Sequence, residues 1–314
     1  MAVWLVSGGA GFIGSHIVEE LVKRGEKVRV FDNFSTGKIE NISDFKKSIE
    51  IIKGDIRDFK EIEKAVRGVD YLLHQAAMRS VPKSVDNPCD ANDNNITGTL
   101  NVLLASKKAG VKKVVYASSS SVYGDCKIFP QKESFVPSPI SPYAVSKLAG
   151  EYYAVMFSKT YSLPTVSLRY FNVFGPKQPP ESQYSSVIPK FIESALKKQP
   201  LEVHWDGRQS RDFTYVKNVV DANIIAALSP RSNGKVYNVG CGSTVSLLQI
   251  IKMIEKILGY RLEKRFMPKR AGDVRKTWAD ISLIKRDLGY KPTVDFEEGL
   301  AKTIEWFKKS FSEG

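Results

Sequence analysis

Cysteine is scarce: Cys89, Cys126 and Cys241 are the only three in 314 residues, and they lie far apart. A sparse, odd set offers neither a disulfide framework nor metal-ligand spacing, and points to a reducing, cytoplasmic setting. Histidine is as rare, with His16, His74 and His204 alone, which argues against a histidine-rich metal centre. No apolar run approaches the roughly 18 residues that a membrane span requires. The opening Ala2-Val3-Trp4-Leu5-Val6 lacks a basic lead and a long apolar region, so it does not read as a signal peptide. Internal repeats and low-complexity tracts are missing too. What remains is 42% apolar and 26% charged, the composition of a soluble globular chain. At ~150 residues per domain, the length suggests about two domains' worth of polypeptide.

The charge is lopsided. There are 47 basic and 34 acidic residues, a net +13. Residues 1–157 hold 21 basic against 18 acidic, and residues 158–314 hold 26 against 16. The densest basic stretch contains Arg261, Lys264, Arg265, Lys269, Arg270, Arg275 and Lys276. A nucleic-acid footprint, a pocket for an acidic small molecule and a solvated basic face are all consistent with that balance, and charge alone favours the last.

Hydrophobic periodicity alternates through the first half. Val3 to Ser7, Val28 to Phe31, Ile49 to Lys53, Tyr71 to His74 and Val114 to Ser118 read as strands. Between them run helical patterns, one through Ile13, Ile17, Leu21 and Val22 to Gly25, another from about Asn95 to Gly110. Apolar strands separated by helices predict an α/β fold with a Rossmann-type, doubly wound parallel sheet. Beyond about residue 175 short strands mix with helices, among them Leu247 to Leu258 and Leu300 to Phe307. We therefore expect a dinucleotide-binding domain over 1–175 and a smaller mixed α/β substrate lobe over 176–314, some of whose segments return to the first sheet.

Ser7-Gly8-Gly9-Ala10-Gly11-Phe12-Ile13-Gly14 lies between the first strand and the first helix. Gly9, Gly11 and Gly14 fit G-x-G-x-x-G, and Gly8, Gly11 and Gly14 the related G-x-x-G-x-x-G. Residues without side chains allow a tight turn and close approach of a pyrophosphate, which meets unpaired N–H groups at the positive end of the helix. Asp32 ends the second strand, where its carboxylate can take both ribose hydroxyls and repel a 2′-phosphate. No Arg or Lys follows until Lys38, so the expected cofactor is NAD rather than NADP. Asp55, after the third strand, reads equally well as an adenine ligand and as a surface turn carboxylate.

Tyr143-Ala144-Val145-Ser146-Lys147 sets a phenol and an ammonium at i and i+4 on one helical face, with Ser141 as N-cap and Pro142 as first helical residue. A phenol, with a pKa of about 10, is a poor base at neutral pH unless nearby positive charge favours the phenolate. Ser119, at the end of the fifth strand, can share the proton. His74 ends a buried strand and reads as packed and hydrogen-bonded rather than catalytic.

These residues, with His74-Gln75-Ala76-Ala77, Asp93-Asn94-Asn95, Ser118 to Gly124, Arg169-Tyr170-Phe171-Asn172-Val173-Phe174-Gly175, Gly207, Arg211-Asp212-Phe213, Asn238-Val239-Gly240 and Arg270-Ala271-Gly272-Asp273, span nearly the whole chain. The set resembles the extended short-chain dehydrogenase/reductase superfamily, and within it the UDP-glucose/UDP-N-acetylglucosamine 4-epimerase group. The resemblance implies tightly bound NAD, Tyr143 as base, Lys147 as its electrostatic partner and Ser119 as relay. It implies a cofactor site of Gly8, Gly11, Phe12, Ile13, Gly14, Asp32, Asn33, Asp55, Ile56, Gln75, Ala76, Ala77, Asn95, Tyr143 and Lys147. It implies a UDP-sugar site of Ser119, Ser120, Tyr143, Asn172, Val187, Arg211, Arg270, Asp273 and Thr277, and a homodimer joined through a four-helix bundle. A UDP-sugar pocket gives the basic second half a purpose and leaves little room for nucleic acid; no membrane partner is expected.

Relatives with dehydratase or decarboxylase activity carry carboxylates just before the Val-Tyr-Gly that follows the strand. Here Ser120 and Ser121 stand there, before Val122-Tyr123-Gly124. Epimerisation, which needs no further acid, is what remains. UDP-glucuronate 4-epimerase tolerates a similar serine run and stays open as the alternative. A redox-sensing regulator that has kept an NAD site but lost catalysis is disfavoured by the intact Ser119, Tyr143 and Lys147.

Overall fold

The computed structural model describes residues 1–179, 187–269 and 274–312. The alternation in the first half yields β1 (Val3–Ser7), α1 (Phe12–Lys23), β2 (Lys27–Asp32), β3 (Ile49–Lys53), α2 (Phe59–Ala65), β4 (Tyr71–His74), α3 (Val81–Asp86), α4 (Pro88–Asn92), α5 (Gly98–Ala109), β5 (Lys113–Ser119), α6 (Pro142–Thr160), β6 (Thr165–Tyr170) and β7 (Val173–Phe174). The helix expected from about Asn95 has two parts, a π-helical turn over Asp93–Thr97 leading into α5. Gly110 ends α5 in the left-handed region at φ 69°, where a residue without Cβ is unstrained.

The second half supplies α7 (Val187–Leu196), β8 (Leu201–His204), β9 (Ser210–Arg211), β10 (Thr214–Tyr215), α8 (Val216–Leu228), β11 (Lys235–Val239), β12 (Val245–Ser246), α9 (Leu247–Leu258), β13 (Lys264–Met267), β14 (Lys276–Thr277), α10 (Ser282–Leu288) and α11 (Phe296–Ser312).

Seven strands form one sheet in the order β11-β6-β5-β4-β1-β2-β3, and every neighbouring pair is parallel. The order reverses between β1 and β4, which opens a crevice at the strands' carboxyl ends. One face packs under α1 and α8, where Trp4, Val6, Ile17, Leu21, Val30 and Val219 share a core. The other face packs under α2, α5 and α6, through Leu5, Ile62, Leu72, Val102, Val114 and Phe157. Both faces are covered, so the strands can be apolar throughout.

The chain does not divide cleanly at residue 175. α8 and β11 come from the second half, yet they belong to the first sheet and its core. The remaining segments build the smaller lobe around Phe174, Ile188, Phe191, Phe213, Ile250, Ile254, Leu300 and Phe307. Phe12, the first residue of α1, belongs to this second core, so the nucleotide loop and the lobe pack as neighbours.

A buried lysine ties α8 to the sheet. Lys113 on β5 is 5% exposed, and its Nζ donates to the carbonyls of Ala226 and Ser229 and to Ser232 Oγ. These carbonyls close a helix C-terminus, a favourable place for a cation. Burial nevertheless pushes the Lys113 pKa down from 10.5 to about 8. The folded protein then releases this proton at lower pH than the unfolded chain, so between these two values the unfolded chain binds more protons and stability rises with pH. Urea unfolding of wild type and Lys113→Met should show the wild-type advantage growing as pH climbs from about 8 toward the ordinary lysine range. A pH-independent difference would mean that Lys113 titrates alike in both states.

Candidate active site

The crevice is a cleft of about 720 Å³. Its floor is the turn from β1 into α1. Gly11 is the N-cap of α1 and no side chain caps the first N–H groups, which leaves them for a ligand. The glycines are required by contact: a Cβ on Gly14 would lie 2.1 Å from the Gly8 carbonyl oxygen, and one on Gly8, at φ +70°, 2.7 Å from the Ala76 nitrogen. Phe12, Ile13, Asp32, Asn33, Ile56, Gln75, Ala76 and Ala77 line the same cleft. Asp32 is 7% exposed; its two oxygens accept from Ala10 N at 2.9 Å and Phe34 N at 2.8 Å, while burial raises its pKa against those bonds. A pyrophosphate over the bare α1 terminus with a ribose against Asp32 fits this donor and acceptor set.

At the other end of the cleft stands α6. Ser141 caps it by accepting from Ala144 N at 3.2 Å, with Pro142 in the first turn, as the sequence predicts. Tyr143 and Lys147 both line the cleft, one turn apart. Burial raises the Tyr143 pKa, opposed by the nearby Ser119 hydroxyl and by the charge of Arg79. Burial lowers the Lys147 pKa to about 7. The Lys147 ammonium sits 4.9 Å above the Tyr116 ring, so the charge acting on the phenol in this arrangement is that of Arg79.

A buried ion pair fixes α6 against the strands. Glu151, one turn beyond Lys147, accepts from Arg169 Nε at 3.0 Å and Nη2 at 2.6 Å, and from Ser118 Oγ at 2.8 Å. Glu151 is 1% exposed and Arg169 3%. Ser118 precedes Ser119, so the same carboxylate holds both the helix that carries Tyr143 and the strand end that carries its partner. His74 is structural: its ring nitrogens meet Ser7 Oγ at 2.7 Å and Thr99 Oγ1 at 3.0 Å, and burial lowers its pKa to about 3.

Two expected cofactor residues are engaged by protein partners beside the cleft. Asn95 exchanges hydrogen bonds with the Met78 backbone and donates to Ser146 Oγ, bracing the cleft wall from behind. Asp55 is held by Arg57 and Asn33, and the Arg57 guanidinium keeps its pKa low, at about 2. Its neighbours Gly54, Ile56 and Arg57 line the cleft.

On the substrate side, Asn172, Arg211 and Thr277 come together. β9 pairs with β14 so that Arg211 opposes Thr277, and Asn172 Nδ2 donates to Thr277 Oγ1 at 2.9 Å and to the Asp212 carbonyl at 3.0 Å. Ser120 opens the 3-10 turn Ser120–Tyr123, and Val187 begins α7. Arg270 and Asp273 lie outside the described residues.

The sequence reading missed Met78, Arg79, Ser80 and Lys83, which follow β4 and line the cleft. It missed Lys38, Asn41, Lys177 and Gln178 as well. The available signal for the first group was position, because residues just past the carboxyl end of a strand at the reversal point face the crevice.

The family model described as the NAD dependent epimerase/dehydratase family matches residues 4–240. The chain belongs to that family. NAD is accordingly the cofactor for which the cleft is shaped. The solved UDP-N-acetylglucosamine 4-epimerase of Methanobrevibacter ruminantium, in complex with UDP-N-acetylmuramic acid, is 41% identical with a TM-score of 0.94, over 98% of this chain and 99% of that one. The UDP-glucose 4-epimerase of Thermotoga maritima, with UDP-glucose, is 38% identical with a TM-score of 0.94 over the same shares. The UDP-glucuronic acid 4-epimerase of Bacillus cereus, with UDP-glucuronic acid and NAD, is 34% identical with a TM-score of 0.90, again over 98% and 99%. UDP-sugar 4-epimerases thus resemble this family member along its whole length.

The ion pair makes a direct prediction. Glu151→Ala should strand a buried guanidinium and cost about 3–5 kcal/mol in chemical unfolding, whereas replacing both Glu151 and Arg169 by Met should cost much less. Equal losses would mean that packing rather than charge dominates here.

Proposed function

We propose that the chain is an NAD-dependent 4-epimerase of UDP-hexoses, acting on UDP-glucose/UDP-galactose and on UDP-N-acetylglucosamine/UDP-N-acetylgalactosamine. The observation that carries the reading is Tyr143 and Lys147 set one turn apart on the cleft wall, in a site where Ser120 and Ser121 replace the carboxylates that elimination would need. Bound NAD supplies the acceptor and donor of the C4 hydride. Tyr143 takes the O4 proton and returns it to the same oxygen. Lys147 lies one helical turn away, where it can hold the nicotinamide ribose, and the Arg79 charge favours the phenolate. The uncapped α1 terminus and Asp32 hold the pyrophosphate and adenosine ribose. Asn172 and Arg211, with Arg270, hold the UDP, since planar guanidinium groups bind phosphate oxygens in pairs.

The reading includes a homodimer. α6 leaves Val145 49% and Tyr152 58% exposed, and α5 adds Leu104 at 38%. An apolar strip across two adjacent helices suits pairing with the same strip on a second copy, which makes a four-helix bundle.

NMR of products formed from UDP-glucose, UDP-N-acetylglucosamine and UDP-glucuronate tests the substrate assignment. Turnover of the first two supports it; turnover of UDP-glucuronate alone selects the glucuronate reading. The purified protein should need no added NAD. Tyr143→Phe should lose about 10²-fold or more in turnover while still binding UDP. Near-native turnover would move the base to another group.

Thr277 governs breadth in this reading. Its hydroxyl holds Asn172, and its small side chain leaves room for the C2 N-acetyl group. Thr277→Tyr adds a ring whose overpacking costs ~1–3 kcal/mol, so activity on UDP-N-acetylglucosamine should fall selectively while UDP-glucose is spared. Equal losses on both sugars would remove Thr277 as the gate.

A further inference from the structure

Three elements meet in a triangle of hydrogen bonds behind the cleft wall. Asn223 lies on α8, Tyr170 ends β6 and Gln75 follows β4. Tyr170 and Gln75 line the cleft, while Asn223 stands behind them at 0% exposure. Asn223 Nδ2 donates to the Val219 carbonyl at 2.8 Å and to Tyr170 Oη at 2.8 Å. A carbonyl can only accept, so Val219 fixes which end of the Asn223 amide is nitrogen. Asn223 Oδ1 is thereby turned to Gln75 and accepts from its Nε2 at 3.1 Å. The Tyr170 hydroxyl closes the triangle, with Gln75 Oε1 at 3.2 Å and Asn223 Oδ1 at 3.0 Å as its acceptors. Burial raises the Tyr170 pKa, so the phenol keeps the proton it donates.

We propose that Asn223 is a positioning residue for NAD: through this triangle it holds the Gln75 carboxamide with one N–H and one carbonyl lone pair left for the nicotinamide half of the cofactor. A glutamine amide has two N–H donors and two carbonyl lone pairs, of which the triangle uses one N–H and no more than one lone pair. Which half of NAD is concerned follows from the sheet. Asp32 ends β2 on one side of the reversal between β1 and β4, and Gln75 and Tyr170 follow or end β4 and β6 on the other. A dinucleotide lies across such a reversal, so its adenosine half falls to Asp32 and its other half to Gln75. Fixing a long polar side chain before the ligand arrives removes an ordering cost that binding would otherwise carry. The inference rests on NAD as the family's cofactor and not on the identity of the sugar.

The test is exchange of bound NAD for isotope-labelled NAD in the holoenzyme, read by gel filtration. Gln75→Ala and Asn223→Ala should each release NAD roughly threefold to tenfold faster than wild type, the worth of a hydrogen bond. Combined in one chain they should release it no faster than Gln75→Ala alone, because Asn223 acts through Gln75. A general loosening of the fold would instead multiply the two effects, and that outcome overturns the assignment. Unchanged exchange in either single variant overturns it as well. If Asn223→Ala does not fold, Tyr170→Phe, which keeps the ring and removes the hydroxyl, enters the same comparison: it should speed release when Gln75 is present and leave it unchanged in Gln75→Ala, and equal acceleration in both sinks the proposal. The exchange uses no sugar. A protein that shows this coupling but epimerises no UDP-sugar would sink the functional reading and leave Asn223 in its role.

Discussion

The Glu151 carboxylate joins three elements that would otherwise have no reason to keep one geometry. It lies on the inner face of α6, takes two hydrogen bonds from Arg169 on β6, and takes a third from Ser118 on β5. Removing two charges from water costs several kcal/mol each, and Coulomb attraction repays that only when geometry is good and the remaining polar atoms are satisfied. Here the geometry is bidentate, and Arg169 also lies 4.8 Å from the Tyr123 ring. The pair is therefore weak as a source of stability and strong as a determinant of register. Sliding α6 by one residue would tear Glu151 from Arg169, and Tyr143 would leave Ser119 with it.

The same pair explains what the sequence hid. β6 reads Thr165-Val166-Ser167-Leu168-Arg169-Tyr170, a half-polar strand that ought to have one face in water. All six residues are buried. α6 supplies partners to two of the strand's three polar side chains: Thr165 Oγ1 donates to the Ala154 carbonyl and Arg169 meets Glu151, while the Ser167 hydroxyl is buried without one. α6 is itself inverted, with Ser146, Lys147, Gly150 and Glu151 turned inward and Val145 and Tyr152 turned out. A search for an apolar inner stripe finds the wrong side of such a helix. Gly150 shows how closely the two elements meet, since a Cβ there would stand 2.3 Å from the Tyr116 hydroxyl.

Where function is set by backbone shape, the sequence was legible. The glycines, Asp32 and the Ser141-Pro142 helix start occupy the places their chemistry requires, because each is a local rule acting over a few residues. Where function is set by which way a side chain turns, it was not. The partners of Asn95 and Asp55, Ser146 and the Met78 backbone for one and Asn33 and Arg57 for the other, follow no local pattern. Arg79 has no motif around it, and only the position of β4 in the sheet brings it to the phenol.

The division of α6 into two faces bears on the proposed assembly. Its inner face carries Lys147 and one buried ion pair as well as Ala144, Ala154 and Phe157, so part of the surface it turns to the core is polar. Burial of the outer strip by a second copy would add to the hydrophobic contribution of the inner face, at about 25 cal/mol for each Å² covered. Dimerisation and catalysis then press on the same helix from opposite sides. A change at Val145 or Tyr152 that loosened the partner would also relax the support under Tyr143 and Lys147, so the outer face, although it touches no ligand, is constrained by the inner one.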